Sequence, residues 1–195
     1  MTSKTPKLGK SPVIFDNTVL SIFALVQKFD VLRKLYKEGA FVCRAVFQEL
    51  QTGTASSWRY PWLRSRLCLQ SINQALEDGS LQLVDNATNP KDDVIELRLA
   101  LEYGQQFGVG EAESIALART RHWVFATDNG RAREFAKQQG ICVTGTLGIM
   151  VKATEQGVLD VSKADAMHTR MVDEGYRSPL SYKNGISEFI RCRNR

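Results

Sequence analysis

Short apolar segments alternate along this chain with stretches of helical periodicity, and this alternation constrains the fold more than any other feature. The segments 13–15 and 123–126 contain no polar residue, as is typical of strands buried on both faces of a sheet. Between them, Leu20, Phe23 and Ala24 share one face of a predicted helix over 18–28. We therefore expect an α/β fold, a three-layer α/β/α sandwich with a central parallel sheet and a helical C-terminal extension.

The rest of the chain continues this pattern, with glycines at several predicted helix ends. We predict strands over 40–43, 81–84 and 141–143, of which 81–84 is an edge strand. We predict helices over 46–51, 94–106, 111–119, 131–139, 146–156, 162–174 and 187–191, and a helical pattern before residue 74. The four residues from Ser162 to Asp165 resemble a capping box that opens the helix over 162–174.

The net charge of +5 is weak evidence for a polyanionic partner, because it is carried by the two ends of the chain. Residues 1–10 contain three lysines and no acid, and residues 191–195 contain three arginines. Each end contributes +3, so the rest of the chain has a net charge of −1. At 195 residues the chain is long enough for one ordinary domain.

Composition excludes several kinds of site. The four cysteines are scattered without a CxxC pair, and the two histidines offer little material for a zinc site or a histidine-dependent triad. The longest apolar neighbourhood, 13–26, is interrupted by Asp16 and Asn17, so we expect no membrane span. The opening MTSKTPKLGK is followed by no signal-peptide pattern, and we expect a cytoplasmic protein.

Two of the predicted strands end in an aspartate, Asp16 after 13–15 and Asp128 after 123–126. The carboxyl ends of parallel strands meet at one edge of a sheet, where α/β folds bind ligands. Glu111 opens the helix before the second of these strands, and Glu49 lies on a helix after 40–43. We expect all four carboxylates to gather around the same cleft.

Carboxylates that converge raise one another's pKa unless a cation lies between them. Ligands that are all oxygen favour Mg²⁺ or Mn²⁺ and leave positions open for water and a phosphate. Such a site suits the metal-assisted hydrolysis of a phosphodiester. The alternative is that each acid caps a helix or faces solvent.

The order and spacing of five segments resemble a bacterial PIN domain. These segments are VIFDNTVL, VFQELQTG, GVGEAESIALA, VFATDNGRAREFAKQQG and ICVTGTLGIMVKA. The resemblance covers about residues 12–160, and the later ADAMHTRMVDEGYRSPLS is similar to the end of such proteins. It implies a PIN-like catalytic domain over 12–160 and C-terminal helices over 161–195 packed on the same domain, and the charge of the N-terminal residues predicts a basic disordered tail over 1–11.

The resemblance also implies roles for individual residues. PIN domains carry four acids that bind one or two Mg²⁺ or Mn²⁺ ions and cut RNA, and the matching positions here are Asp16, Glu49, Glu111 and Asp128. Glu113 is a second choice as metal ligand, because it lies about 200° from Glu111 around an ideal helix. Three further side chains are expected to hydrogen-bond the acids or water, namely Thr18, Thr127 and Asn129.

Two groups of arginines are candidates for substrate phosphates. Arg131 and Arg133 follow Asp128 by one helical turn. Arg59 and Arg64 lie in WRYPWLRSR, whose interleaved aromatics and arginines are typical of single-strand binding. The alternatives are exposed helix cations for the first pair and a hydrophobic cluster with solvated arginines for the second.

Many PIN proteins of this size resemble VapC-type toxins of toxin–antitoxin pairs. By this analogy we expect an RNA substrate, a homodimer, and a small antitoxin that inserts a basic or bulky segment into the acidic cleft. No membrane partner is expected.

Two other functions fit the same residues less well. VIFDNTVL is superficially similar to the first motif of haloacid-dehalogenase-like phosphatases, in which a strand ends in a nucleophilic aspartate. That family usually has a second aspartate two residues later, where this chain has Thr18. A non-catalytic PIN-like module that binds RNA or protein is the other alternative, although retained acids that repel one another argue against it.

Overall fold

A computed structural model describes residues 11–52, 66–85, 90–180 and 185–193 of this chain. The strands are β1 (Val13–Phe15), β2 (Ala40–Val42), β3 (Gln82–Leu83), β4 (Val124–Ala126) and β5 (Val143–Thr144). The helices are α1 (Asn17–Leu25), α2 (Phe29–Leu35), α3 (Arg44–Thr52), α4 (Arg66–Glu77), α5 (Pro90–Tyr103), α6 (Val109–Thr120), α7 (Gly130–Gln138), α8 (Thr146–Glu155), α9 (Val161–Asp173) and α10 (Ile186–Arg193).

The five strands form one parallel sheet in the order β3-β2-β1-β4-β5. Every side chain of β1 and β4 is buried, so both faces of the sheet centre are covered. Helix α6 packs on β1 and β4, while α2 and α8 pack against each other. The predicted three-layer α/β/α sandwich is thereby confirmed, and β3 lies at a sheet edge as expected.

The hydrophobic core is built around the buried strands β1 and β4, which are neighbours in the sheet. Phe15 and Phe125, on β1 and β4, are fully buried, together with Phe23 of α1 and Ile115 of α6. The burial of such large side chains contributes about 2 kcal/mol each to stability. The core therefore holds β1 and β4 side by side, which positions the chain segments that follow them.

The C-terminal helices pack on the sandwich through α8. Helices α9 and α10 contact each other and α8. Met167, Met171 and Ile186 are buried in these contacts. Asp165 on α9 accepts a hydrogen bond from the backbone N–H of Ser187, 2.9 Å away, which satisfies one of the free donors at the start of α10.

The structure corrects two predictions from the sequence. The expected helix over 18–28 ends at Leu25, and α2 follows as a separate helix that the periodicity did not predict. Gln27 has a φ of 54°, a left-handed conformation that an α-helix does not contain, so the chain turns here. The capping box at Ser162 is also wrong, because α9 begins at Val161 and its N-cap is Asp160.

Several predictions lie outside the described residues. Most of the basic tail over 1–11 is among them, as are the aromatics of WRYPWLRSR and both Arg59 and Arg64. Within the part of the chain that the structure describes, no helix is both long and apolar enough to cross a bilayer.

Candidate functional site

The pairing of β1 with β4 brings the two strand-terminal aspartates to the same edge of the sheet. Phe15 lies opposite Ala126 in the register, and the backbone N–H of Asp16 donates to the carbonyl of Ala126 at 2.9 Å. Asp16 is therefore next to Thr127, whose hydroxyl donates to Asp16 Oδ2 at 2.8 Å. A second hydroxyl, that of Thr18, donates to the same oxygen at 2.9 Å.

Asp128 lies beside Asp16 but takes its hydrogen bonds from a third element. Its Oδ1 accepts from the backbone N–H of Thr146 at 2.9 Å, and its Oδ2 accepts from the Thr146 hydroxyl at 2.6 Å. Asp128 thus caps the start of α8. The sequence analysis gave helix capping as an alternative to metal binding for each acid, and Asp128 makes such a contact. The backbone N–H of Asp128 also donates to Thr18 Oγ1 at 3.3 Å, which links the two aspartates through one threonine.

Glu49 enters the site because α3 and α6 approach closely. Its Oε1 accepts from the backbone N–H of Gly110 at 2.9 Å. A Cβ on Gly110 would lie 2.9 Å from the Glu49 carboxylate and 2.8 Å from Val46, so only glycine fits this approach. Asn17 is buried beside Asp16 at the start of α1, and its side-chain oxygen accepts from the Ser21 hydroxyl at 2.8 Å.

The two glutamates of α6 point to different places. Glu111 Oε1 accepts from the Asn129 side-chain amide at 2.8 Å, which brings it to the carboxyl end of β4. Glu113 Oε2 accepts from the backbone N–H of Ala45 at 3.2 Å and so caps the start of α3. Of the two glutamates, Glu111 is close enough to Asp16 for the charge of Asp16 to raise the pKa of Glu111.

Burial raises the pKa of all four acids, and the charge of a neighbouring acid raises it further for Asp16, Glu49 and Glu111. Burial is the largest cause for Asp16, which is 4% exposed, and the charge of Asp128 adds to it. Burial followed by the charge of Asp16 raises the pKa of Glu111 to about 7 and also raises that of Glu49. Burial raises the pKa of Asp128, partly offset by the hydrogen bonds from Thr146. The four carboxylates therefore form one region of unfavourable negative charge.

The donor set fits a hard divalent cation, which would relieve this repulsion. Each carboxylate is satisfied by donors of the protein, and among the described residues no three acid, histidine or cysteine side chains lie together at ligating positions. The residues that would hold an ion are Asp16, Glu49, Glu111 and Asp128. Their roles as ligands stay a prediction.

The two arginines of α7 occupy different positions. The positive charge of Arg133 lowers the pKa of Asp128, and its guanidinium lies beside Gly145. Arg133 and Gly145 also line a cavity of about 350 Å³, together with Lys152 and Glu155 of α8 and none of the four acids. Arg131 is exposed, and its guanidinium lies 5.3 Å from the centre of the Phe107 ring.

Sequence reasoning missed two polar residues near the acids, Thr146, which hydrogen-bonds Asp128, and Tyr176. Thr146 closely follows the parallel strand β5. The carboxyl ends of parallel strands meet at one edge of the sheet, and applying this rule to β5 as well as to the strands before Asp16 and Asp128 predicts the position of Thr146. Burial and the charge of Asp128 raise the pKa of the phenol of Tyr176, which lies beyond α9. No local pattern marks Tyr176, because its position depends on how α9 packs.

Comparison with models of known protein families identifies a family for this chain. A family model described as a PIN domain, DUF3368, matches residues 12–189. No curated protein and no solved structure matches the chain. The matched region contains all four acids and continues through the C-terminal helices to α10.

Proposed function

The chain belongs to the PIN-domain family, and from that premise we propose that it is a Mg²⁺- or Mn²⁺-dependent endoribonuclease that hydrolyses RNA phosphodiester bonds. The observation that carries this proposal is the gathering of four carboxylates from separate elements at one sheet edge, each with a raised pKa. Buried acids with strongly perturbed pKa values are typical of functional sites. The proposed acid quartet is Asp16, Glu49, Glu111 and Asp128.

The residues of the site have separate tasks in the proposed reaction. A divalent cation held by the acids would polarise the scissile phosphate and stabilise the charge that develops there. Thr18 and Thr127 hold the Asp16 carboxylate in one orientation through their hydrogen bonds. Arg133, whose positive charge acts on Asp128, would bind a neighbouring phosphate of the RNA strand.

The test of this proposal is the substitution Asp16→Asn, which keeps the shape of the side chain but removes its charge. We expect RNA cleavage to fall by about 100-fold or more, because a cation loses one of its ligands. The measurement is cleavage of a labelled RNA by the purified protein with Mn²⁺ and with EDTA.

The matched control is Asp160→Asn, which alters an exposed aspartate paired with Lys163. This variant should cleave like the wild type. Undiminished, metal-dependent cleavage by Asp16→Asn would refute the proposal. Tight RNA association without Mn²⁺ binding would instead favour a non-catalytic PIN-like module.

We propose further that this enzyme acts as the toxin of a toxin–antitoxin pair, as a homodimer inhibited by a small antitoxin. The support is the resemblance of the sequence motifs to VapC-type proteins. The genetic neighbourhood tests it directly, since a small adjacent gene for a DNA-binding protein is expected. A gene without such a neighbour, whose product does not slow bacterial growth, would argue against this role.

A further inference from the structure

We propose that Thr146, the first residue of helix α8, is a positioning residue for Asp128. The inference rests on the proposed function and extends it beyond the four acids. Its basis is a two-point contact, in which one residue donates a hydrogen bond to each oxygen of the carboxylate. The backbone N–H of Thr146 lies 2.9 Å from Asp128 Oδ1, and the Thr146 hydroxyl lies 2.6 Å from Oδ2.

This two-point contact fixes the carboxylate more fully than a single bond does. One hydrogen bond leaves a carboxylate free to turn about that bond, whereas one bond to each oxygen sets both the position and the plane of the group. Each oxygen keeps a second lone pair, so the contact leaves Asp128 able to bind a cation. The Asp16 carboxylate is held differently, because the hydroxyls of Thr18 and Thr127 both donate to its single oxygen Oδ2.

The register of the sheet places Thr146 directly opposite Asp128. Ala126 of β4 lies opposite Thr144 of β5, and Asp128 and Thr146 each follow two residues later. The pairing continues past the end of β4, because the backbone N–H of Thr127 donates to the carbonyl of Thr144 at 3.1 Å. Thr146 is fully buried, so its side chain has no room to turn away from the carboxylate.

The same contact completes the start of α8. The N–H groups in the first turn of a helix have no acceptor within the helix, and Gly145, the N-cap residue, has no side chain that could supply one. Asp128 accepts from one of these groups, and the positive end of the helix dipole favours its negative charge. The proposed metal ligand and the helix start are therefore one structural unit, and Thr146 acts on the reaction through Asp128.

The test compares Thr146→Val with the wild type, using Mn²⁺ alone as the probe of the site. Valine keeps the backbone N–H and carries a methyl group where threonine has its hydroxyl, so the bond to Asp128 Oδ2 is lost. We expect Mn²⁺ affinity, measured by electron paramagnetic resonance on the full chain, to fall about tenfold, as for other residues that orient metal ligands. At saturating Mn²⁺, kcat for RNA cleavage should fall while KM stays unchanged, because Thr146 contacts Asp128 and not the substrate.

Three further variants separate positioning from general destabilisation. Thr146→Ser keeps both donors and should restore most of the Mn²⁺ affinity, whereas Thr146→Ala lacks the hydroxyl and should reproduce the loss. Thr154→Val is the matched control on the same helix, about 12 Å further along its axis. It removes a hydroxyl that donates to the carbonyl of Val151 at 2.6 Å, and should leave Mn²⁺ affinity unchanged. Thermal unfolding in EDTA measures the loss of stability in each variant separately from the loss of affinity.

A double variant tests whether Thr146 acts through Asp128. Once Asp128→Asn has removed the charged carboxylate, adding Thr146→Val should cause no further loss of Mn²⁺ affinity, because the two residues act as a unit. An additional loss equal to that of Thr146→Val alone would show that Thr146 acts by another route and would overturn the proposed role.

The two proposals fail in different ways. Wild-type affinity and kcat in Thr146→Val and Thr146→Ala would overturn the role of Thr146 and leave the nuclease proposal intact. An equal loss of affinity in Thr154→Val, or no recovery in Thr146→Ser, would also overturn it. A wild-type protein that binds no Mn²⁺ and cleaves no RNA would overturn the proposed function and, with it, this inference.

Discussion

Asp16 lies in a setting that disfavours its own charge. It is 4% exposed, so burial raises its pKa, and the neighbouring charge of Asp128 raises it further. The hydroxyls of Thr127 and Thr18 oppose this shift by donating to the carboxylate. Burial and the charge of Asp16 also disfavour the ionised form of Glu111, and this affects the stability of the folded protein.

We predict that the metal-free protein becomes less stable as the pH rises from 5 to 8. The pKa of Glu111 is about 7 in the folded protein and 4.5 as its ordinary value. Between these values the folded state binds more protons than the unfolded state, so the free energy of unfolding falls as the pH increases. Discounted for partial exposure, the loss is about 2 kcal/mol, or roughly 5 °C in Tm.

Thermal unfolding in EDTA across this pH range is the measurement. Glu111→Gln cannot ionise, so its Tm should vary less with pH than that of the wild type. A Tm that rises toward pH 8 in the wild type would contradict the repulsion described for these acids.

The connection from β5 to α8 shows how two elements depend on a single glycine. A Cβ on Gly145 would lie 2.5 Å from Asp128 Oδ1 and 2.6 Å from Arg133 Nη2. Real Cβ atoms do not approach so closely, and the carboxylate would have to move. The absence of a side chain here allows α8 to begin where Thr146 reaches Asp128.

We predict that Gly145→Ala lowers Mn²⁺ affinity and RNA cleavage by about tenfold or more, because the added methyl group displaces Asp128. Binding of Mn²⁺ and cleavage rates measure the effect. Gly130→Ala is the matched control, since a Cβ at the start of α7 would meet nothing within 4 Å. Equal behaviour of the two variants would show that the close approach at Gly145 is not required.

The fold brings four acids that are distant in the sequence toward the carboxyl edge of the sheet. The strand order places β1 beside β4, and the helices α3 and α6 add Glu49 and Glu111 from the same side. A ligand that neutralises this charge binds only the folded chain, because the four acids are distant in the sequence.

We predict that Mn²⁺ raises the Tm of the wild-type protein at pH 8. At a concentration 100 times the Kd the stabilisation is about 2.7 kcal/mol, which corresponds to roughly 5–10 °C for a chain of this size. Calorimetry or a dye-based melt gives the value. Asp16→Asn should show a much smaller shift, and an equal shift in both proteins would place the bound ion elsewhere.

Most of the fold was predictable from the sequence because its signals are local. Apolar runs in the sequence identified β1 and β4. Glycines marked the ends of two helices, since Gly140 and Gly157, with φ values of 76° and 68°, follow α7 and α8 as expected. The split between α1 and α2 was not predictable, since the left-handed Gln27 is not one of the residues that usually mark a turn.

By itself, the sequence determined that Asp16 and Asp128 end strands, because hydrophobic periodicity acts over a few residues. Only the tertiary structure decided which groups these acids contact. The hydrogen bond from Thr127 to Asp16 joins residues 111 positions apart, and that from Asn129 selects Glu111 over Glu113. Strand register and helix packing set such contacts, and both are properties of the assembled core.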